Sequence, residues 1–141
     1  CFIRTDLGCQ LESFSTDKGK TWSIPRPSRF TAPISPMTMK RLTNGDIMAA
    51  WNPVPLYNGR SQLVDGVWTG GRNPLVYAIS KDDGKTWSNH KEIENDERSG
   101  FCYIALHETE NAILLGYCAG SVDDGGCLNR LRISRILKSE L

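Results

Sequence analysis

The sequence predicts an all-β fold. An octapeptide recurs within the chain, an Asn-Gly pair sits between two apolar runs, and no stretch shows convincing helical periodicity. The repeat sets the architecture, because recurring units imply recurring supersecondary structure. Ser15-Thr16-Asp17-Lys18-Gly19-Lys20-Thr21-Trp22 returns as Ser80-Lys81-Asp82-Asp83-Gly84-Lys85-Thr86-Trp87, identical at six of eight positions and offset by 65 residues.

Each shared residue of the repeat suits a tight turn between two strands. Asp17 and Asp82 can accept hydrogen bonds from backbone N–H groups of the turn. Gly19 and Gly84 supply a positive φ that other residues resist. Ser15 and Ser80 can bond within the same turn. Trp22 and Trp87 begin the returning strand and can pack their rings on the hairpin. These aspartates read as fold-making residues, not catalytic acids.

The remaining elements follow in order. Gly8 to Phe14 is a strand entering the first turn. The Pro-rich stretch from Ile24 to Pro36 reads as a connection with at most short strand character. Met37 to Leu42 and Ile47 to Trp51 form a hairpin, for which Asn44-Gly45 favours a type I′ turn. Asn52 to Gly71 is a long, Gly-bearing loop, and such loops are often functional. Its flanking aromatics, Trp51, Tyr57 and Trp68, can pack in the core or stack on a sugar ring. Pro74 to Ile79 enters the second turn, with Leu75, Tyr77 and Ile79 on one side and Val76 and Ala78 on the other. Tyr103 to Leu106 and Ala112 to Tyr117 form a further pair. Ser121, Asp123 and Gly125, with Leu128 at the Trp position, form a weak third copy of the repeat. Leu131 to Leu137 is a last strand, with Leu131, Ile133 and Arg135 opposing Arg132, Ser134 and Ile136.

Composition excludes several function classes. The chain is 39% hydrophobic and 23% charged with a net charge of +1, which lacks the basic excess of a nucleic-acid binder. Arg130, Arg132 and Arg135 alternate along the last strand and form no basic patch. No apolar run approaches the roughly 18 residues of a membrane span. The five cysteines are odd in number and match no zinc spacing, so buried free thiols are expected in place of a disulfide framework. His90 and His107 lack partners at metal-ligand spacing. No metal and no cofactor is expected. The chain starts at Cys1, which leaves its compartment open and is consistent with a fragment.

The repeats resemble those of the Asp-box (BNR-repeat) sialidases and their relatives. That family folds as a six-bladed propeller of four-stranded antiparallel sheets. The resemblance implies a partial propeller of about two to three blades, spanning residues 1–141 and matching the C-terminal blades. Arg72 lies eight residues before Ser80, and Tyr103 follows 31 residues after Arg72. A similar order in the family puts a carboxylate-binding triad arginine before an Asp box and the nucleophilic tyrosine on the next blade. Arg4 precedes the first box and could match a second triad arginine, at looser spacing. Several guanidinium groups can hold the carboxylate of a sialic acid by charge-assisted, bidentate hydrogen bonds. A neutral phenol can approach that anion without charge repulsion, provided a carboxylate activates it.

By the same alignment, the first triad arginine, the acid/base Asp and the activating Glu lie upstream of Cys1. Cys118 stands where a Glu usually follows the tyrosine segment. Three function classes follow: exo-acting release of a terminal sialic acid or related acidic sugar by a complete propeller, a glycan-binding propeller with altered or no chemistry, and a structural or interaction propeller. The fragment alone is expected to be inactive. A run of two or three blades leaves open strand edges, so self-association is also expected.

Overall fold

The computed structural model describes all 141 residues, Asn58 by its backbone alone. Its strands form three antiparallel sheets and a small ribbon. The first sheet joins β1 (Phe2–Ile3), β2 (Cys9–Glu12) and β3 (Arg26–Thr31). The second joins β4 (Thr38–Arg41), β5 (Ile47–Trp51), β8 (Leu75–Ser80) and β9 (Lys91–Glu94). The third joins β10 (Cys102–Glu108), β11 (Ala112–Cys118) and β12 (Leu131–Leu137). The ribbon pairs β6 (Leu63–Val64) with β7 (Val67–Trp68) inside the long loop. This is an open arc of a sialidase-type propeller: one four-stranded blade flanked by two three-stranded sheets.

The middle blade holds the arc together through β8. All six of its residues are buried, since a strand between two paired strands and between two other sheets meets water on neither face. The predicted alternation holds. Leu75, Tyr77 and Ile79 face the third sheet, where Phe101, Ile104, Ile113, Leu115, Tyr117 and Ile136 complete one core. Val76 and Ala78 face the first sheet with Ala49 and Trp51. Phe30 closes that second core. Its ring meets Phe2, Trp51 and Trp87 edge-on, with centroids 5.1 to 5.4 Å apart. Such geometry is favourable for aromatic quadrupoles.

Three expectations need correction, and one strand is added. The Ile24 to Pro36 connection contains a six-residue strand, β3, because Phe30 has a core position to fill; the one proline of that strand, Pro27, is tolerated on a sheet edge. Lys91–Glu94 is a strand that its charge-rich sequence hid. The β4–β5 hairpin does not use a two-residue type I′ turn. Gly45 N–H bonds to Leu42 O, Leu42 N–H to Asp46 O, and only Gly45 is left-handed, which makes a three-residue loop closed by glycine. The third copy is a different turn. Ser121 bonds through its N–H and hydroxyl to Asp124, while Asp123 points out to Arg98 and Leu128 is exposed.

The two repeated turns are built alike. Ser15 Oγ donates to Asp17 and accepts the Gly19 N–H; Ser80 does the same with Asp82 and Gly84. The aspartates accept from the N–H and hydroxyl of Thr21 and of Thr86. Each indole N–H returns to the glycine carbonyl at 3.1 Å. Two successive residues are left-handed in each turn, Lys18 and Gly19, Asp83 and Gly84. The serines that follow, Ser23 and Ser88, close each hairpin, their hydroxyls accepting the N–H of Phe14 and Ile79.

These bonds favour ionised aspartate. The Thr21 hydroxyl above all holds the Asp17 carboxyl down to about 2, and the Thr86 hydroxyl does the same for Asp82. Lys138 and Thr43 likewise hold Glu108 at about 2. A carboxylate depressed in the folded state adds stability above its unfolded value and loses it as pH falls through the folded value. The thermal midpoint is therefore expected to fall as pH drops from about 4 to about 2. Replacing Asp17 and Asp82 together by Asn should flatten that acid limb. Equal slopes in the two proteins would assign the acid loss to other groups.

Candidate functional site

Arg72 leads into β8 from a tight corner. Gly70 and Gly71 before it are both left-handed, at φ 73° and 64°. A Cβ on Gly70 would stand 3.1 Å from both Arg72 Nε and Trp68 Cζ2, so the bare glycine lets the two side chains meet. A Cβ on Gly71 would stand 2.6 Å from Leu56 Cδ2. The backbone of Arg72 is pinned as well. Its carbonyl accepts the Phe101 N–H at 2.8 Å and the Asn52 side-chain amide at 3.1 Å.

The side chain of Arg72 is 4% exposed. Nη2 donates to Ile34 O at 3.1 Å, while Nε and Nη1 have no partner among the described residues. The guanidinium lies between two rings, 4.8 Å from the Trp68 centroid and 5.2 Å from that of Tyr103. Burial opposes its charge, but the neighbouring Cys102 and Tyr103 side chains outweigh that and keep the group cationic. A buried cation with two idle donors is costly unless an acceptor completes it.

Tyr103 is presented by a break in its own strand. Cys102 pairs with Cys118, but Ala105 pairs with Gly116, so β10 carries one extra residue against β11. The bulge re-aims the side chain. Tyr103 takes φ 55° there, a conformation that costs a bulky residue about 1–3 kcal/mol, and it remains 48% exposed. Strained backbone of this kind clusters at functional sites, which makes the Arg72–Tyr103 contact the candidate.

Arg4 occupies the β1–β2 connection, which corresponds to the β5–β8 connection of Arg72 within its own sheet. It is exposed, and no hydrogen bond or stacking contact of Arg72 or Tyr103 reaches it among the described residues. The loop aromatics separate by role. Trp51 is core, Trp68 covers Arg72, and Tyr57 lies against Gly8 with its ring largely exposed.

The tyrosine that does bond to a carboxylate is Tyr117, whose hydroxyl donates to Glu94 at 2.5 Å. Arg132 binds both oxygens of Glu94 at 2.6 Å. Tyr117 is 1% exposed, and burial first, then Glu94, pushes its hydroxyl up to about 12. This group ties the second sheet to the third, with Tyr117 buried and Arg132 partly exposed. No local signal announced it, because Glu94 sits on the strand the sequence concealed.

Compared with known families, residues 1–117 match the description "BNR repeat-like domain". The chain belongs to the BNR repeat-like family. Among solved structures, this BNR repeat-like chain is similar to the leech intramolecular trans-sialidase complexed with 2,7-anhydro-Neu5Ac, prepared by soaking with 3′-sialyllactose. The TM-score is 0.65 and the identity 16%, over 99% of this chain and 22% of that one. The likeness is one of fold, and the BNR repeat-like chain spans less than a quarter of that protein's length. No curated protein matches it.

Proposed function

We propose that the chain forms the C-terminal part of a sialidase-like propeller and contributes Arg72 and Tyr103 to a site for an acidic sugar. One observation carries this reading: Arg72 is buried with Nε and Nη1 idle, beside a strained, exposed Tyr103. A sugar carboxylate is the acceptor that such a guanidinium lacks. Tyr103 stands at the nucleophile position, and Arg4 serves as a further carboxylate ligand from the neighbouring blade. The two repeated turns are Asp boxes that fix blade register. In the complete propeller the activity is exo-acting release of a terminal sialic acid or related acidic sugar.

A second reading has its own support. Tyr103 has no carboxylate partner among the described residues, and Cys118 stands where a Glu is expected. A glycan-binding propeller with altered or no hydrolysis fits those facts.

Hydrolysis of a fluorogenic sialoside by the intact protein separates the two. Tyr103→Phe is expected to abolish turnover while changing sialoside affinity less than about tenfold, since the phenyl ring still covers Arg72. Turnover that survives the substitution would remove Tyr103 from the nucleophile role. Binding without any turnover in the unsubstituted protein would select the second reading.

A further inference from the structure

Three of the five cysteines converge beneath Arg72. Cys102 and Cys118 are Cα partners across β10 and β11. Directly opposed residues in an antiparallel pair stand about 4.5–5.5 Å apart at Cα. A disulfide spans about 4.4–6.8 Å at Cα, so directly opposed residues fall within its reach. Cys127 arrives from the turn before β12. Its Cβ lies 2.7 Å from the point where a Cβ on Gly100 would stand, and its N–H donates to Trp68 O at 3.2 Å. The side chain of Cys102 meets those of both Cys127 and Cys118. Cys102 and Cys127 are fully buried, whereas Cys118 is only half-buried. Of the three, only Cys102 bears on the sugar site, through its contact with Arg72.

The geometry points to an oxidation site in which Cys118 receives a small-molecule disulfide of the glutathione type and passes the bond to Cys102. In the first step Cys118 gives its proton to solvent, and its sulfur attacks the incoming disulfide. One thiolate leaves and takes up a proton, and a mixed disulfide remains on Cys118. In the second step Cys102 gives up its proton and attacks the Cys118 sulfur. The second thiolate leaves and is protonated. Two protein thiols are oxidised by two electrons, and the small disulfide is reduced to two thiols. Exposure fixes the order, because Cys118 alone of the three meets solvent. Burial and Cys102 raise the Cys118 thiol, and the Cys127 thiol and burial hold the Cys102 thiol well above its usual range, so both steps are slow. The bond ties down the strand end that presents Tyr103. The inference is independent of the acidic-sugar reading.

The test incubates the folded intact protein with oxidised glutathione for hours, quenches by alkylation and maps peptides without reduction. A peptide linking Cys102 to Cys118 is expected, with a mass about 2 Da below the sum of its two thiol peptides. Cys127→Ala should still form that link. Cys118→Ser should leave Cys102 free to alkylate after denaturation. A stable glutathione adduct on Cys118 with Cys102 still reduced would overturn the proposal. So would a link from Cys102 to Cys127, or a Cys102–Cys118 link that appears only after unfolding in urea.

Discussion

Arg72→Met is expected to weaken binding of an acidic sugar by roughly 10- to 100-fold without lowering thermal stability. The first effect follows from losing charge-assisted hydrogen bonds worth about 1.5–3 kcal/mol. The second is a balance of small terms. The substitution removes the bond to Ile34 O, about 1 kcal/mol, and stacking on Trp68 and Tyr103, about 1–2 kcal/mol. It also relieves the burial of two donors with no partner, at about 1–3 kcal/mol each. Those terms cancel or favour Met, which fills a similar volume. A residue kept for packing would show the opposite pattern, with stability lost and binding spared. Isothermal titration beside thermal unfolding reads both quantities.

Gly100→Ala is expected to destabilise the protein by about 3 kcal/mol, a large part of a typical folding stability. The added Cβ would stand 2.1 Å from Thr69 O and 2.7 Å from Cys127 Cβ. Both neighbours are fixed, Thr69 by its N–H bond to Gln62 O and Cys127 by its bond to Trp68 O. Three backbone segments therefore meet under Arg72 at a point where only hydrogen fits. Gly116→Ala is the matched control, since its Cβ would find no atom within 4 Å and its φ is not positive. Urea unfolding should separate the two by a large shift in midpoint, with Gly116→Ala close to the unsubstituted protein. Equal midpoints would show that the segments can part at little cost.

Much of the fold was legible because particular residues carry turn chemistry. Asp17 and Asp82 with their glycines announce the same hairpin twice, and the apolar run of β8 announces a strand covered on both sides. What stayed hidden depends on neighbours distant in sequence. Phe30 makes a strand of a proline-rich stretch because Phe2, Trp51 and Trp87 surround it. Asn44-Gly45 reads as a two-residue loop, yet the register Arg41 to Ile47 sets a longer one. In the candidate site, the spacing of Arg72 and Tyr103 was visible, and the structure brings them into contact. The bulge that strains Tyr103 was not visible, since it arises from a pairing slip between β10 and β11. Nor was the cover of Trp68, which depends on a missing Cβ at Gly70. Arg4 lies on a connection that corresponds to that of Arg72, and among the described residues it makes no contact with the pair.

The central claim is that Arg72 awaits a carboxylate. Calorimetric titration of the intact protein with a methyl sialoside, and with the same sugar as its carboxylate methyl ester, tests it most directly. The acid should bind at least about tenfold more tightly than the ester, and Arg72→Gln should erase that difference. Equal binding of acid and ester, or a preference for the acid that survives Arg72→Gln, would contradict the account.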